Sequence, residues 1–135
     1  MVLSFVLTLV LVVGGVFAYF FWRNKQQQAE FDDFAKEFNL KVTELKKFNG
    51  VENKRIFIGV KGDLFDVTTS AFYKPGGSYH IFAGHEASVC LAKGDLEGKY
   101  LDQLDAQYTP DEQATLDDWH FRFSDKYRKV GKIVR

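Results

Sequence analysis

From Val2 to Trp22 the chain is apolar and uncharged, interrupted only by Ser4, Thr8 and the Gly14-Gly15 pair. A helix of about 20 apolar residues is what crosses a bilayer core, so residues 1–22 read as a transmembrane anchor. The pattern changes at Arg23. Residues 23–39 read as a juxtamembrane linker. Asn24 to Ala29 is its polar exit from the membrane. Phe31, Phe34, Ala35 and Phe38 then recur at helical spacing, with Asp32, Asp33, Lys36 and Glu37 on the other face. That spacing predicts a stalk helix docked on the domain that follows, residues 40–133.

Within that domain, Thr43 can cap a short helix whose Leu45 and Phe48 point inward, ended by Asn49-Gly50. Ile56, Ile58 and Val60 alternate with Phe57 and Gly59, which predicts a strand over 55–60. Lys61-Gly62-Asp63 is a turn, and Leu64 to Val67 is the returning strand of a hairpin. Lys74-Pro75-Gly76-Gly77-Ser78 must be a loop, because proline removes a donor and the glycine pair breaks a ladder. Helices are expected over about 85–93, stopped by Gly94, and over 95–105, with Leu96, Tyr100, Leu101 and Leu104 inward. Thr109-Pro110-Asp111-Glu112 combines an N-cap, a proline at the first helical position and an acid three residues after the cap. It opens a helix running to about Phe123, with Leu116 and Trp119 facing the core. Two short strands followed by several short helices make an α+β pattern, and nothing repeats.

Charge sharpens the division. All 18 basic and 18 acidic residues lie after Trp22. A cleaved signal peptide would need a basic start and a shorter apolar core. Val16-Phe17-Ala18 offers a small-x-small site, but the start has no Lys or Arg and the run is too long. Tyr19, Phe20, Phe21 and Trp22 suit an interfacial aromatic belt, which favours the anchor. Arg23 and Lys25 follow the span, and positive charge collects on the cytosolic side, so the C-terminal domain is expected in the cytosol. The single Cys90 permits no intramolecular disulfide, in keeping with that compartment. No Asn-x-Ser/Thr acceptor occurs. The net charge is zero and the two signs are interspersed, so the basic stripe that a nucleic-acid backbone demands is missing.

Candidate chemistry is narrow. One Cys and three scattered His (His80, His85, His120) do not make a structural zinc site. There is no phosphate loop and no nucleophile elbow, and Asp63 and Asp66 sit at a hairpin. The residues give no reason to expect an enzyme. Phenols and rings stand out instead. Phe72-Tyr73-Lys74-Pro75-Gly76-Gly77-Ser78-Tyr79 places two phenols six residues apart across a glycine turn, and Tyr127 follows Lys126 near the C-terminus. Glycines let a backbone approach a flat ligand closely, and phenols can ligate ferric iron or hydrogen-bond carboxylates. Loop tyrosines packed on Pro75 would explain the same residues.

Phe65-Asp66-Val67-Thr68, Phe72-Tyr73-x-Pro75-x-Gly77-x-Tyr79 and Phe82-Ala83-Gly84-x-x-Ala87-Ser88 resemble the membrane-associated progesterone receptor family. Thr115-Leu116-x-Asp118-Trp119 and Lys126-Tyr127-x-x-Val130-Gly131-Lys132 extend the likeness in order and spacing across about residues 40–133. The resemblance implies an α+β, cytochrome b5-like haem/steroid-binding fold behind one N-terminal transmembrane helix. It implies haem, one per domain, with five-coordinate ferric iron held by Tyr79 as axial ligand. Tyr73, Lys126 and Tyr127 would line the haem site. It further implies residence in the endoplasmic reticulum membrane, haem-thiolate monooxygenases as partners, a homodimer formed by stacked haems, and a sterol as an additional ligand.

Departures from the family pattern are Lys74 for glycine, Ser78 for proline, His80 for a small residue and His85 for arginine. Ser78 should loosen the loop that aims Tyr79. Adjacent side chains of an extended segment point to opposite sides, so His80 is expected to face solvent rather than compete for iron. Two other readings compete with the haem-binding regulator. A cytochrome b5-type electron carrier needs two histidine ligands, the first in His-Pro-Gly-Gly, and Lys74-Pro75-Gly76-Gly77 lacks it. A cofactor-free adaptor would use the same pocket for a sterol or leave it empty.

Overall fold

A computed structural model describes the backbone of the chain and the side chains of residues 1–29 and 35–135. The chain forms two compact units, Met1–Lys36 and Glu37–Arg135.

The first unit is one helix, α1 (Val2–Ala35). Its portion Val2–Ala29 is long and apolar enough to cross a bilayer. The expected stalk is corrected at its end: Phe38 is not helical but opens a strand, and it is buried. Phe31, Phe34, Asp32 and Asp33, on which the stalk reading also rests, lie outside the described side chains.

The second unit is built on a four-stranded sheet. Its strands are β1 (Phe38–Leu40), β2 (Phe57–Val60), β3 (Asp63–Asp66) and β4 (Arg128–Ile133), in the order β1-β4-β3-β2. β1 runs parallel to β4, with Phe38 opposite Gly131, and the other pairs are antiparallel. The hairpin is as expected. Lys61 and Gly62 both have positive φ (52° and 78°), the two-residue turn whose twist matches that of paired strands. β1 and β4 were not expected from the pattern. β1 has only three residues, and β4 reads Arg-Lys-Val-Gly-Lys-Ile, where Val130, unpaired opposite the Leu64–Phe65 step of β3, is a bulge that upsets strict alternation.

Both faces of the sheet are covered. Phe57, Leu64 and Val130 face a small aromatic cluster with Phe38, Leu45 and Phe48. Phe48 stacks on Phe57 at 4.5 Å between centroids, and the Arg55 guanidinium lies 4.9 Å over the Phe57 ring. Full burial of a phenylalanine such as Phe57 stabilises the fold by about 1.5–3 kcal/mol. Ile58, Val60 and Phe65 face the larger cluster, with Phe82, Leu116 and Phe123.

Helix α2 (Val42–Leu45) starts two residues earlier than expected, with Lys41 rather than Thr43 at the cap position. The Glu44 carboxylate accepts the Lys41 N–H at 3.1 Å. Helix α3 (Ser88–Lys93) ends on Gly94, whose φ is 68°. It begins later than expected because His85 to Ala87 bond the edge of β2: Gly59 N–H donates to His85 O, and Ala87 N–H to Gly59 O.

No helix forms over 95–105. The Asp95 carboxylate accepts the backbone N–H groups of Glu97 (2.9 Å) and Lys99 (2.7 Å), the local bonding by which aspartate diverts a backbone from helix. Leu96 is consequently 63% exposed rather than inward. Helix α4 (Pro110–Lys126) has the expected capping box, with Thr109 N–H donating to Glu112 (2.9 Å) and Glu112 N–H to Thr109 Oγ1 (3.2 Å). It runs three residues past Phe123.

Candidate functional site

The segment between β3 and α3 and the C-terminal half of α4 enclose an aromatic cleft of about 280 Å³. Local bonds set that segment. The Asp66 carboxylate accepts the Thr68 N–H at 2.9 Å, Val67 N–H donates to Ile56 O, and Ser70 N–H to Val67 O. The chain then doubles back: Gly77 N–H donates to Lys74 O at 2.8 Å and Tyr79 N–H to Phe72 O at 2.9 Å. A Cβ at Gly77 would collide with the carbonyl oxygens of Ala71 and Phe72, so only glycine lets the loop close this tightly.

All four residues singled out from the sequence line this cleft. Tyr73 is buried at its centre. Its ring lies 6.2 Å from Tyr79, 6.3 Å from Tyr127 and 6.1 Å from Phe123, centroid to centroid. Burial, reinforced by the neighbouring Tyr127 and Tyr79 phenols, pushes the Tyr73 hydroxyl well above the ordinary phenol range, so it stays protonated. Tyr79 is half-buried, held between Phe72 (5.7 Å) and Phe82 (6.3 Å). The Tyr127 hydroxyl donates to Ser70 Oγ at 3.3 Å, tying the end of α4 to the loop. The Lys126 ammonium lies 5.4 Å over the Tyr127 ring and 5.8 Å over Phe72, at the exposed rim. The cleft thus combines a polarisable phenol, aromatic walls and a cationic edge.

His80 is not in the cleft. The expectation that it faces solvent is corrected: it is half-buried, and its Nε2 lies 2.9 Å from Asn49 O. It sits in a turn of 3₁₀ helix (His80–Phe82), where successive side chains no longer alternate. His85 pairs with Asp102 at 2.8 Å and His120 with Asp63 at 2.8 Å, both away from the cleft. Among the described residues no group of three or more His, Cys, Asp or Glu is placed to hold a metal ion.

Sequence reasoning missed Arg122, Leu91 and Leu96 as lining residues. Arg122 was legible from its spacing, four residues before Lys126 on the same helix. Leu96 was not, because its helix does not form.

A short twisted sheet with an aromatic cleft between a glycine-turn loop and a C-terminal helix is the cytochrome b5-like class of fold. An Arabidopsis thaliana protein solved and described as having a cytochrome b5-like fold superposes with a TM-score of 0.67 at 37% identity. The match covers 73% of this chain and 93% of that one. The Schizosaccharomyces pombe cytochrome P450 regulator dap1 is 38% identical over 99 residues, covering 67% of this chain and 60% of its own length. Human membrane-associated progesterone receptor component 2 is 36% identical over 106 residues, covering 74% of this chain and 47% of its own. The chain belongs to the membrane-associated progesterone receptor family. It spans about half the length of these curated relatives. No family-level sequence profile matches it.

Proposed function

We propose that this chain is a membrane-anchored haem-binding regulator of haem-thiolate monooxygenases, with the Tyr79 oxygen as sole protein ligand to ferric iron. One observation carries the reading: of the three phenols that line the cleft, Tyr73 is buried and Tyr127 bonds Ser70, which leaves the half-buried Tyr79 as the candidate donor, and no histidine among the described residues lines the cleft. The donor set fits haem. Haem is flat and apolar with an anionic edge, and the cleft offers ring walls, one hard oxygen donor and cations at one rim. Tyr73 suits a supporting role, because its burial keeps the phenol neutral. Tyr127 and Lys126 border the same edge. Bound haem would supply a ferric centre whose potential a hard anionic ligand keeps low.

A relative named as a cytochrome P450 regulator supports the class of partner. Arg23 and Lys25, after the apolar segment, support a cytosolic domain, and the endoplasmic reticulum is the membrane proposed. The sterol-binding alternative draws on relatives named as membrane steroid-binding proteins, such as one from Oryza sativa.

The test is haem titration of the full chain and of Tyr79→Phe in detergent micelles. The variant keeps the ring between Phe72 and Phe82 and loses only the ligand oxygen. It should lose the ferric high-spin spectrum with the fold intact. Normal haem binding by Tyr79→Phe alongside lost binding by His80→Ala would name the wrong ligand. A low-spin bis-histidine spectrum would favour the electron carrier.

A further inference from the structure

The charged groups lining the cleft are Arg122 and Lys126, and both belong to α4. Residues four apart share one helix face, so both cations stand on a single edge. Phe72, Phe82, Leu91 and Leu96, which also line the cleft, carry no charge, and no carboxylate among the described residues lines it. Arg122 is not idle. Its Nη2 lies 3.1 Å from Asp118 Oδ2, one turn back on α4, and its guanidinium lies 5.6 Å over the Trp119 ring. That ion pair is exposed on both sides, 65% and 60%. Such pairs are weak, so Asp118 holds the guanidinium only loosely and a ligand carboxylate can compete for it.

We propose that Arg122 is a specificity-determining residue. With Lys126 it selects flat apolar ligands bearing two carboxylates along one edge, and Asp118 acts as the internal competitor. The inference rests on the haem reading, since haem has two propionates on one edge, and it sharpens that reading: a neutral sterol gains nothing from this rim. Arginine suits the role because its planar fork takes a carboxylate bidentately.

The experiment uses the full chain in detergent micelles with three probes: ferric protoporphyrin IX, its dimethyl ester, and metal-free protoporphyrin IX. The wild type should prefer the diacids to the diester. Arg122→Gln should weaken both diacids by about threefold to tenfold, the range for a charge-assisted contact at an exposed rim, and leave the diester unchanged. Asp118→Asn should strengthen both diacids by about twofold, because it frees the guanidinium. Equal loss on diacid and diester in Arg122→Gln would overturn the proposal, since Arg122 would then act only by packing on Trp119. So would a wild type indifferent to esterification. If the diacid preference holds while iron adds nothing over the metal-free porphyrin, the rim selects as proposed and the Tyr79–iron reading is the one that falls.

Discussion

The backbone N–H of Tyr79 bonds the carbonyl oxygen of Phe72 at 2.9 Å, and that one bond aims the phenol into the cleft. It can form only because Gly77, between them, has no Cβ to strike the carbonyls of Ala71 and Phe72. Gly77→Ala should therefore open the loop. The expected cost is about 1–3 kcal/mol of stability, the range for a forced backbone shift. Haem affinity should fall further than stability, because the loop positions the proposed ligand. Thermal unfolding and haem titration check the two effects. A variant with unchanged affinity would show that the loop does not aim Tyr79.

What the sequence disclosed follows local chemistry. The Lys61-Gly62 hairpin and the Thr109–Glu112 cap were legible because each is decided within four residues. β4 was not legible, since its pairing with β1 and β3 joins segments far apart in the chain and its bulge breaks the period of two. The absent helix over 95–105 had the right apolar spacing, yet the Asp95 carboxylate captures two backbone N–H groups and diverts the chain. Tyr73, Tyr79, Lys126 and Tyr127 were named from motifs, and all line one cleft. The burial that separates Tyr73 from Tyr79 is a property of packing, so composition could not disclose it.

Glu86 should give the domain a pH-dependent stability. It is 4% exposed, and burial is the main cause that pushes its carboxyl up to about 7. The neighbouring Asp102 adds to this, against the lowering effect of bonds from Ser88, whose N–H donates to Glu86 Oε1 at 2.7 Å. The folded state holds the proton more tightly than the unfolded state. Stability from this group is therefore full below about pH 4.5 and is lost as pH rises to about 7. Over that window the loss amounts to about 3 kcal/mol at most. Glu86→Gln keeps an acceptor for Ser88 and removes the charge. Urea midpoints at pH 5 and pH 8 should converge in the variant relative to wild type. An unchanged pH slope would mean that Glu86 is not the group responsible.

The proposed cytosolic orientation rests on Arg23 and Lys25 after the apolar segment. Protease added to sealed microsomes should digest the C-terminal domain. Full protection would place it in the lumen. Changing both residues to glutamate and adding lysines before Val2 should shift part of the population to the protected form.

A ligand held by Tyr79 from one wall of an open cleft leaves its other face without a protein ligand. The cleft, at about 280 Å³, is near the lower limit of ordinary ligand sites of about 300–1,000 Å³, so a haem-sized molecule would protrude. Phe72 (49% exposed) and Leu96 (63% exposed) line the cleft and remain open to solvent. An apolar plane edged by exposed apolar side chains favours association. A second copy supplies an identical surface, and a two-fold contact is self-complementary by construction. Haem should therefore convert the full chain in micelles from monomer to dimer, with the dimer absent in Tyr79→Phe and weakened in Leu96→Ser. The same arrangement disfavours electron transfer: reduction weakens an iron–phenolate bond, so a carrier built this way would loosen its cofactor on each cycle. Sedimentation of apo and haem-loaded protein tests the association, and stopped-flow reduction by a cytochrome b5 reductase tests the second point. A haem-loaded chain that stays monomeric at high concentration and is reduced rapidly would return the choice to the electron carrier.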